Sequence, residues 1–215
     1  MSRVTALRLH EDQSCEVWVD GAMLVRTDAL LVHEEGLEVG AELEPEDVRR
    51  LCTRASVSDA KQRAFLLLGY RPYCGAELKK RLEEQFEPAV AEAAVRRAQE
   101  LGYIDDEKYA EMLARELFLR KGWSLRRASF EMYDRGLPAE LVEPQLAGYE
   151  DGEVERAAAV LEKKYLRKLS DPKGRRSALA ALQRLGFAYP DAKEALSSIL
   201  DELPEDGGEA EDSRS

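Results

Sequence analysis

The chain has 215 residues, of which 44% are hydrophobic and 35% charged, and its formal net charge is −11. These values are typical of a folded, soluble chain with one ordinary domain or several small ones. No apolar run approaches the roughly 18 residues that span a bilayer, and the N-terminus lacks the hydrophobic segment of a secretory signal. Three widely spaced cysteines form no C-x-x-C pair. We therefore expect a cytoplasmic protein without a membrane anchor.

The negative charge is concentrated at the two ends of the sequence. Residues 1–57 carry 6 basic and 12 acidic side chains, and residues 201–215 carry 1 basic and 7 acidic side chains. Residues 58–200, with 25 basic and 24 acidic side chains, are nearly neutral, and their basic residues are clustered. Because the charge is divided in this way, an acidic isoelectric point does not exclude a polyanionic partner.

Residues 1–57 predict a small β-rich module. Short apolar runs with partial alternation flank Asp20-Gly21, a dipeptide typical of two-residue hairpin turns. The apolar run at residues 29–32 is interpreted as a further strand. Residues 44–47 (EPED) begin a helix that extends to near Ala55, with proline and acids in its first turn. An antiparallel sheet of three or four strands needs another surface over one face, so we expect it to dock on the helices that follow.

Residues 58–200 predict only helices, in three groups of three. The predicted repeats cover residues 58–106, 107–149 and 150–200. Repeats two and three align without a gap at an offset of 50 from the middle helix onward, which pairs Gly136 with Gly186. Each repeat is too small to bury a core alone, so neighbours must stack. The expected fold is mostly α: three tandem three-helix repeats in an elongated curved array, preceded by a small antiparallel β-sheet module with one helix.

The tail at residues 201–215 combines acids, glycine and proline with almost no apolar side chains. Such a composition predicts disorder. Solubility is the simpler explanation for it, and an autoinhibitory arm that folds over the basic clusters is the alternative.

The corner between repeats one and two has a compact motif: Gly102, Tyr103, Asp105, Asp106 and Tyr109. Gly102 is expected to close one helix in a left-handed conformation, and Asp105 to cap the next helix, with Tyr103 and Ile104 buried beneath the corner. Asp106 then lies in the first turn, where the helix dipole favours acids. We interpret the motif as structural. The alternative is a carboxylate pair that performs metal or acid–base chemistry.

Two basic clusters occupy corresponding parts of repeats two and three. The first contains Arg120, Lys121, Arg126, Arg127 and Arg135, and the second contains Lys163, Lys164, Arg167, Lys168, Lys173, Arg175 and Arg176. Such charges are often only a solvated helix face, but two clusters at matching places could form one basic stripe for nucleic-acid phosphates or an acidic protein groove. Nearby aromatic residues could stack on bases, although core packing is their commoner role: Tyr73, Trp123, Tyr133 and Tyr165.

Catalytic and metal-binding patterns are missing from the sequence. It contains neither G-x-x-x-x-G-K-[ST] nor G-x-G-x-x-G. Its two histidines, His10 and His33, both belong to the β-rich module, which argues against a histidine-based triad or metal site. We therefore predict no catalytic residues, no metal and no cofactor.

The corner motif, at residues 102–110 (GYIDDEKYA), resembles the signature of the RecX regulatory proteins. Arg115 and Lys121-Gly122 follow it at the family's positions. Three further segments fit the same pattern: Glu77-Leu78 with Leu82, Arg135-Gly136-Leu137, and Leu185-Gly186-Phe187. The resemblance covers residues 58–200, and Asp20-Gly21 with residues 36–40 are weaker markers of the N-terminal module of longer members. Tyr73-Cys74 departs from the pattern, because the family commonly has a small hydroxyl residue there.

This resemblance implies a non-enzymatic modulator of the RecA recombinase, acting in DNA repair, homologous recombination and the SOS response. Members of the family bind the RecA filament on single-stranded DNA, lie along its helical groove and restrain ATP hydrolysis, strand exchange and co-protease activity. The implied partner is the RecA filament, with at most weak binding to single- or double-stranded DNA and no membrane contact, and we expect a monomer. Two alternatives remain: a helical-repeat protein that binds nucleic acid directly, and a hydrolase centred on Asp105 and Asp106.

Overall fold

The computed structural model describes residues 1–202, which begin with a four-stranded antiparallel sheet. Its strands are β1 (Ser2–Leu9), β2 (Ser14–Val19), β3 (Ala22–Asp28) and β4 (Glu42–Leu43), in the order β3-β2-β1-β4. The predicted hairpin is confirmed. Asp20 (φ 50°) and Gly21 (φ 83°) connect β2 to β3 with positive φ at both central residues, as the tightest hairpin turns require.

The apolar run at residues 29–32 is helical, so its interpretation as a strand was wrong. Helix α1 (Ala29–Glu34) begins where the Asp28 carboxylate accepts a hydrogen bond from the amide of Leu30, 2.8 Å away. Leu31 and Val32 are buried, whereas Leu30 is 61% exposed. Four consecutive apolar residues have no periodicity that distinguishes helix from strand, and here the cap favours the helix.

Helix α2 (Pro45–Tyr70) is continuous over 26 residues, so the predicted end near Ala55 was also wrong. Its start is as predicted: Pro45 opens the helix, and the Asp47 carboxylate accepts a hydrogen bond from the Glu44 amide at 3.0 Å. No glycine or proline interrupts the helix until its last turn, and Ala55 continues the buried face. Leu51 packs into the core of the sheet, which gives the strands the covering surface that they need.

The chain divides into two compact units at the bond between Tyr109 and Ala110, hereafter the N-terminal and C-terminal units. In the N-terminal unit, α2 is followed by α3 (Gly75–Leu82), α4 (Pro88–Glu100) and the first residues of α5 (Asp106–Arg115). The core shared by α2, α3 and α4 is rich in alanine, with Leu78 and Leu82 as its largest fully buried side chains. Small side chains allow helix backbones to approach closely while the core stays densely packed.

In the C-terminal unit, α5 runs directly into a π-helical turn (Glu116–Lys121). The remaining elements are α6 (Leu125–Asp134), α7 (Ala139–Ala147), α8 (Glu153–Tyr165) with a 3₁₀ turn (Leu166–Lys168), α9 (Pro172–Arg184) and α10 (Tyr189–Glu202). One core joins α8, α9 and α10 around Leu161, Leu182 and Leu196. Within residues 1–202, no helix is long and apolar enough to cross a membrane. The predicted disorder of residues 201–215 was wrong for Asp201 and Glu202, which end α10, and residues 203–215 lie outside the described part of the chain.

The helix ends at Gly136 and Gly186 have the same geometry, as their pairing at an offset of 50 predicts. The two glycines have φ of 83° and 96°. The residue after each is buried and donates its amide to the fifth residue before it: Leu137 to Met132 at 3.3 Å, and Phe187 to Leu182 at 3.2 Å. This 6→1 bond with a left-handed glycine is a Schellman cap. The fold is therefore mostly helical with a small antiparallel sheet, as predicted.

Candidate binding surface

The corner motif closes α4 and opens α5. Gly102 has φ 74°, and the Asp105 carboxylate accepts a hydrogen bond from the Lys108 amide at 3.0 Å, so both predicted roles are confirmed. The Lys108 ammonium, 2.8 Å from the carboxylate, and the Lys108 amide lower the pKa of Asp105. The predicted burial of Tyr103 was wrong. Ile104 takes the buried position, while Tyr103 is 62% exposed and meets Phe65 edge-on with ring centroids 5.0 Å apart.

The second carboxylate of the corner holds the start of α3, a contact that sequence reasoning missed. Asp106 Oδ1 accepts a hydrogen bond from the Gly75 amide at 2.8 Å. Glu77, in the first turn of α3, accepts the Tyr109 hydroxyl at 3.0 Å and pairs with Arg71 at 2.7 Å. The carboxylates of the motif thus have structural partners. Among residues 1–202, no cluster of three histidine, cysteine or acidic side chains is placed to hold a metal ion.

Cys74 and Ser124 occupy equivalent positions before α3 and α6. Ser124 Oγ accepts a hydrogen bond from the Arg127 amide at 3.2 Å and caps α6. Cys74 has the same N-cap position, and burial raises the pKa of its thiol, while a hydrogen bond from the Glu77 amide opposes that rise. Because sulfur is a weaker acceptor than a hydroxyl oxygen, Cys74 stabilises the start of α3 less than Ser124 stabilises the start of α6.

The start of α6 is fixed by contacts to α8 and to the end of α9. The Ser124 amide donates to the Leu185 carbonyl at 3.1 Å, and the Leu125 amide donates to Glu153 Oε1 at 2.5 Å. The Arg127 guanidinium donates to the Arg184 carbonyl. Gly186 lies directly against this junction, because a Cβ atom added there would lie 2.6 Å from Arg127 Cβ. Position 186 therefore favours glycine for two reasons: the backbone is left-handed, and a side chain would collide with α6.

The π-helical turn sets where the first basic cluster points. It ends at Gly122 (φ 66°), whose amide donates to the Leu117 carbonyl five residues earlier. Leu117 and Phe118 are buried, while Arg120 is exposed. A Cβ atom on Gly122 would lie 2.6 Å from Val160 Cγ2, so the turn packs closely on α8. Periodicity alone does not distinguish this turn from an ordinary helix end.

Four predicted binding residues meet at one pocket of about 280 Å³ between the π-helical turn and α8. They are Arg120, Lys121, Lys163 and Lys164, and Arg156 completes the rim. Phe118 and Tyr149 stack within the pocket wall, with ring centroids 4.0 Å apart. We name this site the anchor pocket. Tyr149 and Arg156 were missed by sequence reasoning, because they lie outside the two basic clusters.

Arg126 and Arg127 line a second, more open depression with Arg184 and Gly186, hereafter the Arg126 depression. Phe130 forms its apolar side and is 71% exposed. Phe130 follows Arg126 by four residues on α6, a spacing that places both on one helix face and could have revealed the site. Trp123 lies between the two sites, because its ring is 4.8 Å from Lys121 Nζ and 4.1 Å from Arg127 Cζ.

The remaining predicted binding residues fall into two classes. Arg135 pairs with Glu131 at 2.8 Å, and Arg175 Nε donates to the Leu169 carbonyl at 2.6 Å, so both serve local structure. Four exposed side chains have no carboxylate partner among residues 1–202: Arg167, Lys168, Lys173 and Arg176. Of the other three aromatic candidates, Tyr165 packs on the core, Tyr73 lies beneath Arg71 and Tyr133 is 42% exposed.

Two family models match the helical part of the chain. "RecX, first three-helix domain" matches residues 60–97, and "RecX, second three-helix domain" matches residues 105–144. Both matches lie within the region where the corner motif and its neighbouring segments resemble the family.

Curated proteins named "Regulatory protein RecX" extend the similarity over most of the chain. The protein from Deinococcus radiodurans is 35% identical over 150 residues, covering 68% of this chain and 71% of the relative. One from Thermus thermophilus is 34% identical over 138 residues, covering 64% and 90%. That from Caldanaerobacter subterraneus subsp. tengcongensis is 29% identical over 162 residues, covering 74% and 81%.

Two solved structures share the fold. "Crystal structure of regulatory protein RecX" matches with a TM-score of 0.63 at 16% identity, covering 94% of this chain and all of the other. "Crystal structure of RecX from Lactobacillus salivarius" has a TM-score of 0.51 at 20% identity, covering 69% and 96%. Together with the sequence matches to curated relatives and to both three-helix domains, these likenesses lead to one conclusion: the chain belongs to the RecX family of regulatory proteins.

Proposed function

We propose that this protein regulates the RecA recombinase by binding its filament on single-stranded DNA, along the helical groove, and that it slows ATP hydrolysis, strand exchange and co-protease activity. The proposal starts from the family, whose curated members are named regulatory proteins. One observation carries it to this chain. The C-terminal unit presents basic side chains around the anchor pocket and the Arg126 depression, and many of them have no carboxylate partner among residues 1–202.

Cations without a carboxylate partner suit a polyanionic target. A paired side chain must break its ion pair before it contacts phosphate, whereas an unpaired one only exchanges its counterions and water. Several such side chains on one unit can contact successive subunits or phosphates. Once one contact forms, each later contact is made at high effective concentration, so weak contacts multiply. We propose that the regulator acts in this way as a cytoplasmic monomer without enzymatic activity of its own.

A second candidate function is direct binding to single-stranded nucleic acid. The observation that favours it is the Arg126 depression, where Phe130 is 71% exposed beside Arg127 and Arg184. Exposed aromatic rings among basic side chains are typical of surfaces on which bases stack while phosphates contact cations. This candidate predicts tight binding to bare DNA with a steep salt dependence, whereas the filament proposal predicts binding that strengthens clearly when recombinase is present.

The deciding experiment titrates the protein into RecA ATP hydrolysis on single-stranded DNA. The test variant combines Arg126→Glu with Arg176→Glu, because neither side chain forms an ion pair or a helix-ending hydrogen bond within residues 1–202. Reversing both charges should raise the concentration for half-inhibition by about tenfold or more, equivalent to about 1.4 kcal/mol of lost binding. Circular dichroism should show an unchanged fold.

The matched control is Arg96→Glu with Arg97→Glu on α4. These side chains are comparably exposed, but they pair with Glu92 at 3.5 Å and Glu100 at 3.0 Å. We expect this control to inhibit like the unchanged protein. Full inhibition by the Arg126/Arg176 variant, or an equal loss in the control, would contradict the proposed role of the basic surface.

A further inference from the structure

The anchor pocket combines an apolar floor with a basic rim. Its floor and walls are formed by Phe118, Leu119, Gly122, Tyr149, Ala159 and Val160. A volume of about 280 Å³ lies just below the range of about 300 to 1,000 Å³ that holds drug-sized ligands. The space therefore suits one or two side chains rather than a large cofactor. Leu119 is 70% exposed, so an apolar occupant would cover a hydrophobic surface that now faces solvent.

The rim of the pocket is entirely positive. Five of its eleven lining residues are basic and none is acidic: Arg120, Lys121, Arg156, Lys163 and Lys164. Arg120 and Lys121 share one carboxylate, Glu116, at 3.4 and 3.3 Å. Across residues 1–202, Lys163 and Lys164 have no acidic partner, and Arg156 pairs with Glu153 at 3.0 Å while its buried Nε has no acceptor. The rim thus has more donors than the described part of the chain satisfies, and carboxylates are the complementary groups.

The aromatic rings of the pocket are not arranged to stack on a nucleobase. One face of Phe118 is covered by Tyr149, and the Arg156 guanidinium lies 5.5 Å from the centroid of the same ring. The floor adds aliphatic groups from Leu119, Ala159 and Val160, and Tyr149 is its only side chain with a neutral hydrogen-bonding group. A base edge would lose its hydrogen bonds to water there without replacement, at a net cost. An aliphatic or aromatic side chain has no such loss.

We propose that the anchor pocket binds a short acidic peptide segment of a partner protein. One large apolar side chain of that segment occupies the floor against Leu119, Ala159 and Val160, and flanking carboxylates contact Lys163 and Lys164. Buried apolar area supplies affinity, and the charges select acidic segments and reject basic ones. The proposal does not depend on RecA regulation, because the pocket and its charges define the ligand by themselves.

The test uses fluorescence anisotropy with the full chain and a fluorescein-labelled heptapeptide that has a central leucine flanked by glutamates. Two matched probes replace the leucine by glycine or the glutamates by glutamines. Each change should weaken binding by about tenfold or more, because the leucine buries apolar area in the floor and the glutamates make charge-assisted contacts to the rim. Equal binding of the leucine and glycine peptides would overturn the proposal.

Substitutions in the protein then locate the site. Ala159→Glu places a carboxylate in the floor from an exposed helix position and should abolish binding, whereas Ala76→Glu on the exposed face of α3 should leave it unchanged. Lys163→Gln with Lys164→Gln should weaken binding by about tenfold and reduce its salt dependence. Unchanged binding by the Ala159→Glu variant would overturn the assignment to this pocket.

Two further experiments test whether nucleic acid or the chain's own tail occupies the pocket instead. If a labelled single-stranded oligothymidylate binds more tightly than the leucine peptide, and Ala159→Glu abolishes that binding, the pocket is a nucleic-acid site and the proposal fails. The full chain is also compared with a variant whose acids at residues 203–215 are replaced by amides. If that variant binds the peptide at least tenfold more tightly, the chain's own tail is the occupant, and the assignment to a partner protein is overturned.

Discussion

In the N-terminal unit most basic side chains are close to a carboxylate, whereas in the C-terminal unit many are not. Arg71 lies 2.7 Å from Glu77, and Arg54 pairs with both Glu34 and Glu35. From Lys163 to Arg184, by contrast, no basic side chain lies within ion-pairing distance of an acid in the described part of the chain. A count of basic residues therefore says little about binding. The field available to a partner depends on which cations are already neutralised by their neighbours.

The two units also differ in how closely their helix ends are packed. Gly102 and Gly186 both close a helix with positive φ, at 74° and 96°. Nothing lies within 4 Å of a Cβ atom added to Gly102, whereas one added to Gly186 would collide with Ser124 and Arg127. Both helix ends therefore have a left-handed glycine. Of the two, only Gly186 also lies close against a neighbouring helix.

The largest expected effect comes from alanine at these two glycines. Gly186→Ala should destabilise by about 3 kcal/mol, because overpacking adds to the left-handed strain. Gly102→Ala should cost about 1 kcal/mol, since only the backbone strain applies. Urea unfolding measures both differences. Equal losses at the two glycines would contradict the proposed difference in packing.

Native probes can report the two units separately in this experiment. Trp123 lies in the C-terminal unit, so its fluorescence in a Trp18→Phe background follows the unfolding caused by Gly186→Ala. Cys15, Cys52 and Cys74 all lie in the N-terminal unit, and the buried Cys74 thiol becomes reactive only when that unit opens. Faster labelling of Cys74 is therefore the expected readout for Gly102→Ala.

A smaller effect is expected at the cap of α6. Ser124→Ala removes the hydrogen bond to the Arg127 amide and should cost about 1 kcal/mol. Ser129→Ala, within the same helix, makes the same chemical change away from the cap, and it should be neutral or slightly stabilising because alanine is the better helix former. If both variants unfold at the same urea concentration, Ser124 does not act as a cap.

The smallest expected effect concerns acid stability at Asp105. Its pKa is lowered by the Lys108 ammonium and amide, so the ionised carboxylate stabilises the fold above its ordinary pKa, and this contribution is lost as pH falls through the lower folded value. Asp105→Asn keeps a capping oxygen but has no charge. Its melting temperature should fall less than that of the unchanged protein between neutral pH and about pH 3. Parallel acid dependence in both proteins would contradict this account.

Local sequence signals correctly predicted the glycine that closes α4 and the aspartate that caps α5. Gly102 has the predicted left-handed backbone, Gly136 and Gly186, which the alignment paired, share that backbone, and Asp105 caps α5. These features depend on a few adjacent residues, so a single sequence contains them. The same holds for the Asp20-Gly21 hairpin, which needs only two residues with positive φ.

Two local signals were misinterpreted, and features that depend on distant residues were missed. The run at residues 29–32 became a helix because Asp28 caps it, and α2 continued past Ala55 because nothing in the sequence stopped it. Asp106 was interpreted as a first-turn acid, yet it binds the Gly75 amide 31 residues earlier. The basic clusters were visible in the sequence, but their division between two sites depends on packing of the π-helical turn against α8.

The Glu116–Lys121 turn contains one residue more than an α-helical turn, and this rotates the residues after it about the helix axis. Ala110, Leu113 and Leu117 form a buried stripe, which an unbroken α-helix would continue at residues 120 and 121. The wider turn brings Gly122 to that stripe instead and leaves two cations at the surface. If the same residues were wound as an unbroken α-helix, a positive charge would instead turn toward the hydrophobic interior. The insertion thus lets a sequence with ordinary helical spacing keep its charges in water.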